Sequence, residues 1–391
     1  MRAHAFLPVP LLYFDHNATT FVAPEVADAM DAAVRQVFGN ASSTHSAGQN
    51  ARACLERARG TVARALNAAP AEIVFTSGGT EANNLAILGL VGSRKGHVVT
   101  SAIEHPSVLE CCRHLEKVTV GPVGREGIVE AEAIRRSVTD ETVLVSVMHA
   151  NNETGAVQPM QEIAALVRER RAAGQEIYLH CDGVQAMGKI PVDVKALPVD
   201  LYSISAHKVF APKGVGALFV RRNVPVRAVQ FGGRHERERR AGTENVPGIV
   251  AFARAVELCA TGDEQLPALR DFFEIEVMGR VDGVAVNGPR SPRLPNTSNL
   301  LFRGVSAEAL VIALDMRGMA VSTGSACSSG SVEPSHVLLA MGRTREEAKS
   351  SVRFSFGRYN TRAEVSELVD AVVECVGRLR GANARERQLV Y

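Results

Sequence analysis

The segment Ser203-Ile204-Ser205-Ala206-His207-Lys208 puts an amine directly after an apolar run, with hydroxyl and imidazole donors one to three residues before it. A desolvated amine there has a lowered pKa and can form a Schiff base, whereas a solvated lysine is the ordinary alternative. Only seven of the 44 basic residues are lysines, so few amines compete for that task. His180-Cys181-Asp182-Gly183-Val184-Gln185 closes another apolar run with a carboxylate. Once buried, Asp182 needs a cationic or hydrogen-bonding partner, either a structural salt bridge or a protonated pyridine nitrogen. Phe75-Thr76-Ser77-Gly78-Gly79-Thr80-Glu81 reads as strand, glycine turn and helix start. Free N–H groups at such a start favour an anion, and Thr80 as N-cap could turn its hydroxyl to a phosphate. A capped helix without ligand fits that segment equally. The turn matches neither the nucleoside-triphosphate nor the dinucleotide glycine signature. An anion site, a strand-end aspartate and a strand-end lysine together supply what pyridoxal phosphate needs: a phosphate cup, a partner for its pyridinium and an imine.

A fourth segment, Val321-Ser322-Thr323-Gly324-Ser325-Ala326-Cys327-Ser328-Ser329-Gly330, surrounds one thiol with small residues. Free cysteines are usually buried and inert. Cys327 has no apolar neighbourhood to hide in, which makes it the thiol nucleophile candidate. Cys54, Cys111, Cys112, Cys181, Cys259 and Cys375 lie in helix-like or strand-like apolar contexts and read as core filler.

The elements that must position these groups are legible as alternating periods. Candidate strands are Glu72 to Phe75, His97 to Thr100, Thr142 to Met148, Glu176 to Cys181, Asp200 to Ile204 and Gly216 to Val220. Amphipathic stretches lie between several of them: Glu81 to Val91, Pro106 to Lys117 and Pro159 to Ala172. The fold class is therefore α/β, a large domain with a mostly parallel sheet covered by helices and its ligands at the strand C-terminal ends. After Cys259 the pattern changes to helix Gln265 to Gly279, strands Val281 to Val286 and Thr297 to Phe302, helix Ala307 to Arg317, strand Ser351 to Phe356 and helix Ala363 to Leu379. That reads as a smaller α+β domain. The expected division is 14–260 for the large domain, with 1–13 and 261–391 forming the small one that carries the Cys327 loop. The mixed-sign run Arg234 to Arg240, flanked by glycine, reads by itself as a solvated loop.

Composition removes several function classes. At 391 residues the chain exceeds one core and suggests about two or three domains. With 46% apolar and 22% charged residues it is neither disordered nor fibrous. A net charge of +2 without a basic tail gives no footprint for nucleic acid. Seven scattered cysteines without a C-x-x-C pair indicate neither a disulfide framework nor a zinc site. The apolar N-terminus is broken by Pro8 and Pro10, a poor signal peptide. No apolar run approaches the ~18 residues of a membrane span. The expectation is a reduced, cytoplasmic protein without membrane contact.

These four segments, in their order along the chain, resemble the cysteine desulfurases of the class-V aminotransferase family, fold-type I pyridoxal-phosphate enzymes. The resemblance runs from Tyr13-Phe14-Asp15-His16-Asn17-Ala18-Thr19-Thr20 to Ser351-Val352-Arg353-Phe354-Ser355, and Gly324-Ser325-Ala326-Cys327-Ser328-Ser329 is similar to the branch serving iron–sulfur cluster or nitrogenase assembly. It implies that Lys208 holds the cofactor and moves protons, Asp182 pairs with the pyridine nitrogen, and Gln185 bonds the ring hydroxyl. His105 would stack on the ring and act as an acid–base group, and Asn152 would contact the cofactor. Gly79, Thr80, Ser205 and His207 would hold the phosphate, with Thr243 reaching the phosphate of the other subunit in a homodimer. Arg353, assisted by Asn40, would bind the substrate carboxylate. Cys327 would take sulfur from L-cysteine, leaving L-alanine, and pass it as a persulfide to an acceptor such as an iron–sulfur scaffold. The resemblance implies no intrinsic metal, and any cluster ligated by Cys327 would be transient and shared with a partner. A selenocysteine lyase, another enzyme of the class-V fold such as a transaminase, and a non-enzymatic phosphate-ligand binder are the competing readings.

Overall fold

The computed structural model describes residues 11–92, 96–260, 262–323 and 333–389. In chain order the first elements are β1 (Leu12–Tyr13), α1 (Pro24–Gln36), α2 (Ser46–Ala65), β2 (Ile73–Thr76), α3 (Gly79–Val91), β3 (His97–Ser101), α4 (Pro106–Arg113), β4 (Val118–Gly121), α5 (Ala131–Ser137), β5 (Thr142–Ser146), α6 (Met160–Ala172), β6 (Tyr178–Asp182), β7 (Leu201–Ser205) and β8 (Gly216–Val220). There follow α7 (Val246–Cys259), α8 (Gln265–Arg280), β9 (Val284–Val286), β10 (Thr297–Phe302), α9 (Ala307–Asp315), β11 (Met319–Ala320), α10 (His336–Ala340), α11 (Arg345–Lys349), β12 (Ser351–Ser355) and α12 (Arg362–Leu389). Every strand expected before residue 220 is present, displaced by no more than two residues at either end. Strand β4 was not expected, because its half-exposed residues lack the apolar run of its neighbours.

The main sheet has seven strands in the order β2-β8-β7-β6-β5-β3-β4. Strands β3 to β7 pair in parallel, while β8 is antiparallel to both β7 and β2. Because β8 opposes both neighbours, β2 runs in the same direction as β7. The C-terminal ends of β2, β3, β5, β6 and β7 therefore share one edge of the sheet.

Side-chain alternation divides the core between the two faces of this sheet. Val74, Val98, Leu144 and Leu218 face α3 and α4 in one buried cluster with Leu85, Leu90 and Val108. Phe75, Val99, Val145, Ala217 and Phe219 face the other way, onto residues of α2, α6 and α7 such as Leu55, Ile163 and Phe252. Val337, Leu338, Met341 and Ala348, from the later stretch of the chain, join that second cluster. A third cluster packs the antiparallel sheet β12-β10-β9 against α8, α9 and α12 through Phe273, Phe302, Leu310, Phe354 and Leu368. The first strand belongs with it, since β1 pairs in parallel with β11.

The charged run at 234–240 is only partly a solvated loop. Glu236 is 6% exposed, and its carboxylate takes both nitrogens of Arg59 at 2.7 Å. The glycine flanks and mixed charges gave no sign of a partner 177 positions away.

Candidate active site

At the shared strand edge lies a cavity of about 380 Å³ lined by Asn17, Ala18, Gly79, Thr80, Asn83, His105, Ser107, Met148, Ala150, Asn152, Asp182, Val184, Gln185, Ser205, His207, Lys208 and Arg353. Nearly all the residues singled out above meet here from separate strand ends. Gly79 and Thr80 open α3 after β2, His105 precedes α4 after β3, and Asn152 follows β5. Asp182 ends β6, and Ser205 ends β7 with Lys208 in the short turn beyond. Thr80 lies inside the first turn of α3 and is not its cap, a place taken by Gly78.

Asp182 is 5% exposed. Its Oδ1 accepts from the Val184 amide at 3.0 Å and its Oδ2 from Asn83 Nδ2 at 2.7 Å. Asn83 also donates to Ser107 Oγ at 2.8 Å, which lies 2.8 Å from His105 Nδ1. The Ser107 amide donates to the same ring nitrogen at 3.1 Å, and an amide can only donate. The His105 proton therefore sits on Nε2. Burial holds the His105 pKa below its ordinary value against the pull of the Asp182 carboxylate, and the neighbouring Lys208 and His336 side chains add to the depression. His207 is pushed down to about 3 by burial, with Lys208 next in effect, and its Nδ1 lies 3.1 Å from Thr19 Oγ1. Both imidazoles are neutral at pH 7.

The Lys208 amine donates to the carbonyls of Asn17 and Ala18, each at 2.6 Å. Gln185 Nε2 shares the Asn17 carbonyl at 3.0 Å. Arg353 is 2% exposed; it pairs with Asp15 at 2.7 Å and donates to the Asn152 carbonyl at 3.1 Å, while its buried Nε has no hydrogen-bond partner among the described residues.

These residues fit pyridoxal phosphate. Ser205 Oγ, buried beside the α3 N-terminus, has no hydrogen-bond partner among the described residues, an orphan that an anion would satisfy. A Cβ on Gly79 would come 2.7 Å from Val184 Cγ2, so the absence of a side chain keeps that approach open. Among the described residues no cluster of histidine, cysteine, aspartate and glutamate suits a metal ion.

Two expected residues stand apart. Asn40 is exposed, with its Oδ1 accepting from the Ser42 amide at 2.8 Å, and it is not among the cavity's lining residues. Thr243 is exposed and lines a separate recess with Ser77, Glu236 and Arg240. Cys327 lies outside the described residues. Three polar lining residues carry no expected role: Asn17, Asn83 and Ser107. Helical periodicity offered a signal for one of them, since Asn83 stands three residues after Thr80 on the same face of α3.

The aminotransferase class-V family model matches residues 12–368. Fold, cavity and match define an aminotransferase of that class by architecture. The cysteine desulfurase IscS of Dictyoglomus turgidum is 45% identical over 380 residues, covering 94% of this chain and 95% of its own. A solved structure described as a NifS-like protein superposes with a TM-score of 0.88 at 36% identity, covering 94% of this chain and 100% of that one. Another, SspA in complex with cysteine, gives 0.79 at 35% identity over 89% and 99% of the two chains. The chain belongs to the cysteine desulfurases of the class-V aminotransferase family.

Proposed function

We propose that this enzyme converts L-cysteine to L-alanine with pyridoxal phosphate at Lys208, taking the sulfur onto Cys327 as a persulfide for an acceptor protein of iron–sulfur cluster assembly. It works as a cytoplasmic homodimer in which Thr243 completes the partner's phosphate site. The observation that carries the reading is the convergence of Lys208, Asp182, His105, Gly79 and Ser205 on one cavity, delivered by the ends of four strands, β2, β3, β6 and β7.

When bound, pyridoxal phosphate supplies an electron sink that labilises the bonds of the amino-acid substrate. Asp182, fixed by two donors, would present its carboxyl group to the ring nitrogen. Ser205, Thr80 and the first N–H groups of α3 bind the phosphate, with His207 beside them. Gln185 would donate to the ring hydroxyl, and Asn152 would contact the cofactor. The Lys208 amine would hold the cofactor covalently and would move the proton at the substrate Cα. His105, neutral with its proton on Nε2, serves proton transfer on the ring's face. Arg353 binds the substrate carboxylate, which competes with Asp15 for the guanidinium and finds its unpartnered Nε. A carboxylate is the right ligand for that fork, and its arrival releases Asp15.

The test is an absorption spectrum of the purified protein with and without L-cysteine, alongside two variants. Lys208→Ala is expected to lose the yellow band of a lysine adduct, and an unchanged band would move that role to another lysine. Cys327→Ala is expected to keep the band and lose persulfide formation. Alanine released from cysteine at the wild-type rate by Cys327→Ala would refute the sulfur assignment.

A further inference from the structure

A second lysine lies behind the cavity. Lys189 reaches inward so that its amine is enclosed, and it donates to Gln185 Oε1 at 2.5 Å and to Asn17 Oδ1 at 3.0 Å. Asn17 is 1% exposed and has every polar atom engaged. Its amide nitrogen donates to the Asn152 carbonyl at 3.1 Å and to Thr297 Oγ1 at 2.8 Å. Its Oδ1 also accepts from Asn296 at 3.1 Å, and its backbone N–H donates to Ser355 Oγ at 2.9 Å. Its carbonyl is the oxygen shared by Lys208 and Gln185.

We propose that Lys189 is a positioning residue for the ring end of the cofactor site, acting through Gln185 and Asn17. The proposal rests on the pyridoxal-phosphate reading above. The Asn17 carbonyl can only accept, so Gln185 must turn its NH₂ toward it and its Oε1 toward Lys189. One N–H of Gln185 is spent on Asn17, and the other remains for a ligand oxygen in the cavity that Gln185 lines. The same lysine pins the Asn17 side chain, whose backbone oxygen holds the Lys208 amine. Lys189 thus governs a donor and an amine at once without touching the ligand.

The surroundings of Lys189 agree with that geometry, since its amine has two acceptors in Gln185 Oε1 and Asn17 Oδ1. Burial holds its pKa well below the ordinary lysine value, with the neighbouring Lys208 adding to the depression.

The experiment titrates apo-protein with pyridoxal phosphate and with 4′-deoxypyridoxine 5′-phosphate, which lacks the aldehyde. Lys189→Met is expected to weaken both about tenfold, the scale of one lost hydrogen bond. Lys189→Gln, whose amide can still donate to Gln185, recovers most of the loss. In a Gln185→Met background, Lys189→Met has no further effect on the aldehyde-free ligand. A purely structural role would lower the melting temperature and leave both affinities unchanged, which overturns the proposal. A ligand-free readout separates it from the cofactor reading: reductive methylation with formaldehyde, followed at Lys208 against the exposed Lys213. If wild-type protein binds neither ligand, the cofactor reading fails. A changed Lys208 rate in Lys189→Met then still supports the positioning role, and an unchanged rate sinks it.

Discussion

The ion pair of Arg59 and Glu236 ties the loop that carries Thr243 to the body of the molecule, and replacing Glu236 by glutamine tests how firmly. The two side chains are 3% and 1% exposed and meet through two bonds of 2.7 Å. Arg59 also donates to the Ile73 carbonyl at 2.9 Å, and Glu236 accepts from the Phe75 amide at 2.8 Å. Glu236, Arg237 and Glu238 have φ of 46°, 57° and 64°, the left-handed region that side chains disfavour. The anchor must therefore offset backbone strain of order 1–3 kcal/mol per residue. Glutamine keeps the shape and removes the charge, leaving the buried guanidinium only the half-exposed Glu56 carboxylate at 3.1 Å, at a cost of up to about 3–5 kcal/mol. Local release of the strained turn caps the loss, so the loop opens before the sheet does. Amide exchange at Phe75 is the assay, because that N–H loses its carboxylate acceptor. Protection is expected to fall roughly 100-fold or more in Glu236→Gln and to recover to within about tenfold of wild type in Arg59→Met/Glu236→Met, where no charge is stranded. A single variant within threefold of wild type, or a double variant no better than the worse single, would refute the reasoning.

Arg353→Lys is expected to raise KM for cysteine about tenfold or more while the cofactor spectrum is unchanged, since an ammonium cannot form the fork; initial rates against substrate concentration check it. Gly183→Ala places a Cβ 2.0 Å from the Tyr202 ring, which is held by a 2.7 Å contact of its hydroxyl with His149, so the yield of soluble protein should collapse. Glu104 has its pKa raised by burial to about 8, so the folded state binds a proton that the unfolded state gives up. Its contribution is complete below the ordinary carboxylate value and is lost as pH rises toward about 8, by about 1.4 kcal/mol per pH unit. Glu104→Gln should flatten that decline in denaturation midpoints between pH 5 and pH 8, with the buried neutral histidines cancelling in the comparison.

What the sequence made legible was the strand ends. Asp182 and Lys208 are polar residues that terminate apolar runs, and a parallel sheet has to deliver such ends to a common edge. Gly79 was readable because a glycine turn before a helix has a chemical use. Asn17 was not, because nothing local distinguishes it: its partners lie as far as 338 residues away, and only the folded chain brings them together. Lys189 reads as one more surface lysine until the cavity behind it is seen. Asn40 was assigned by resemblance, and its local turn explains its side chain without any ligand. The direction of β8 has no signature in an alternating pattern, since apolar periodicity is blind to strand polarity.

That reversed strand has a bearing on how the enzyme tolerates change. Residues 206–215 close a hairpin whose register is pinned from Ser205 opposite Gly216 to Leu201 opposite Val220. Connections that hang between sheet and helix can lengthen at small entropic cost. The Lys208 hairpin has no such slack: one inserted residue before Gly216 slips the pairing or swings the amine off its bearing, so variation among relatives should accumulate around this hinge of the molecule and spare its length.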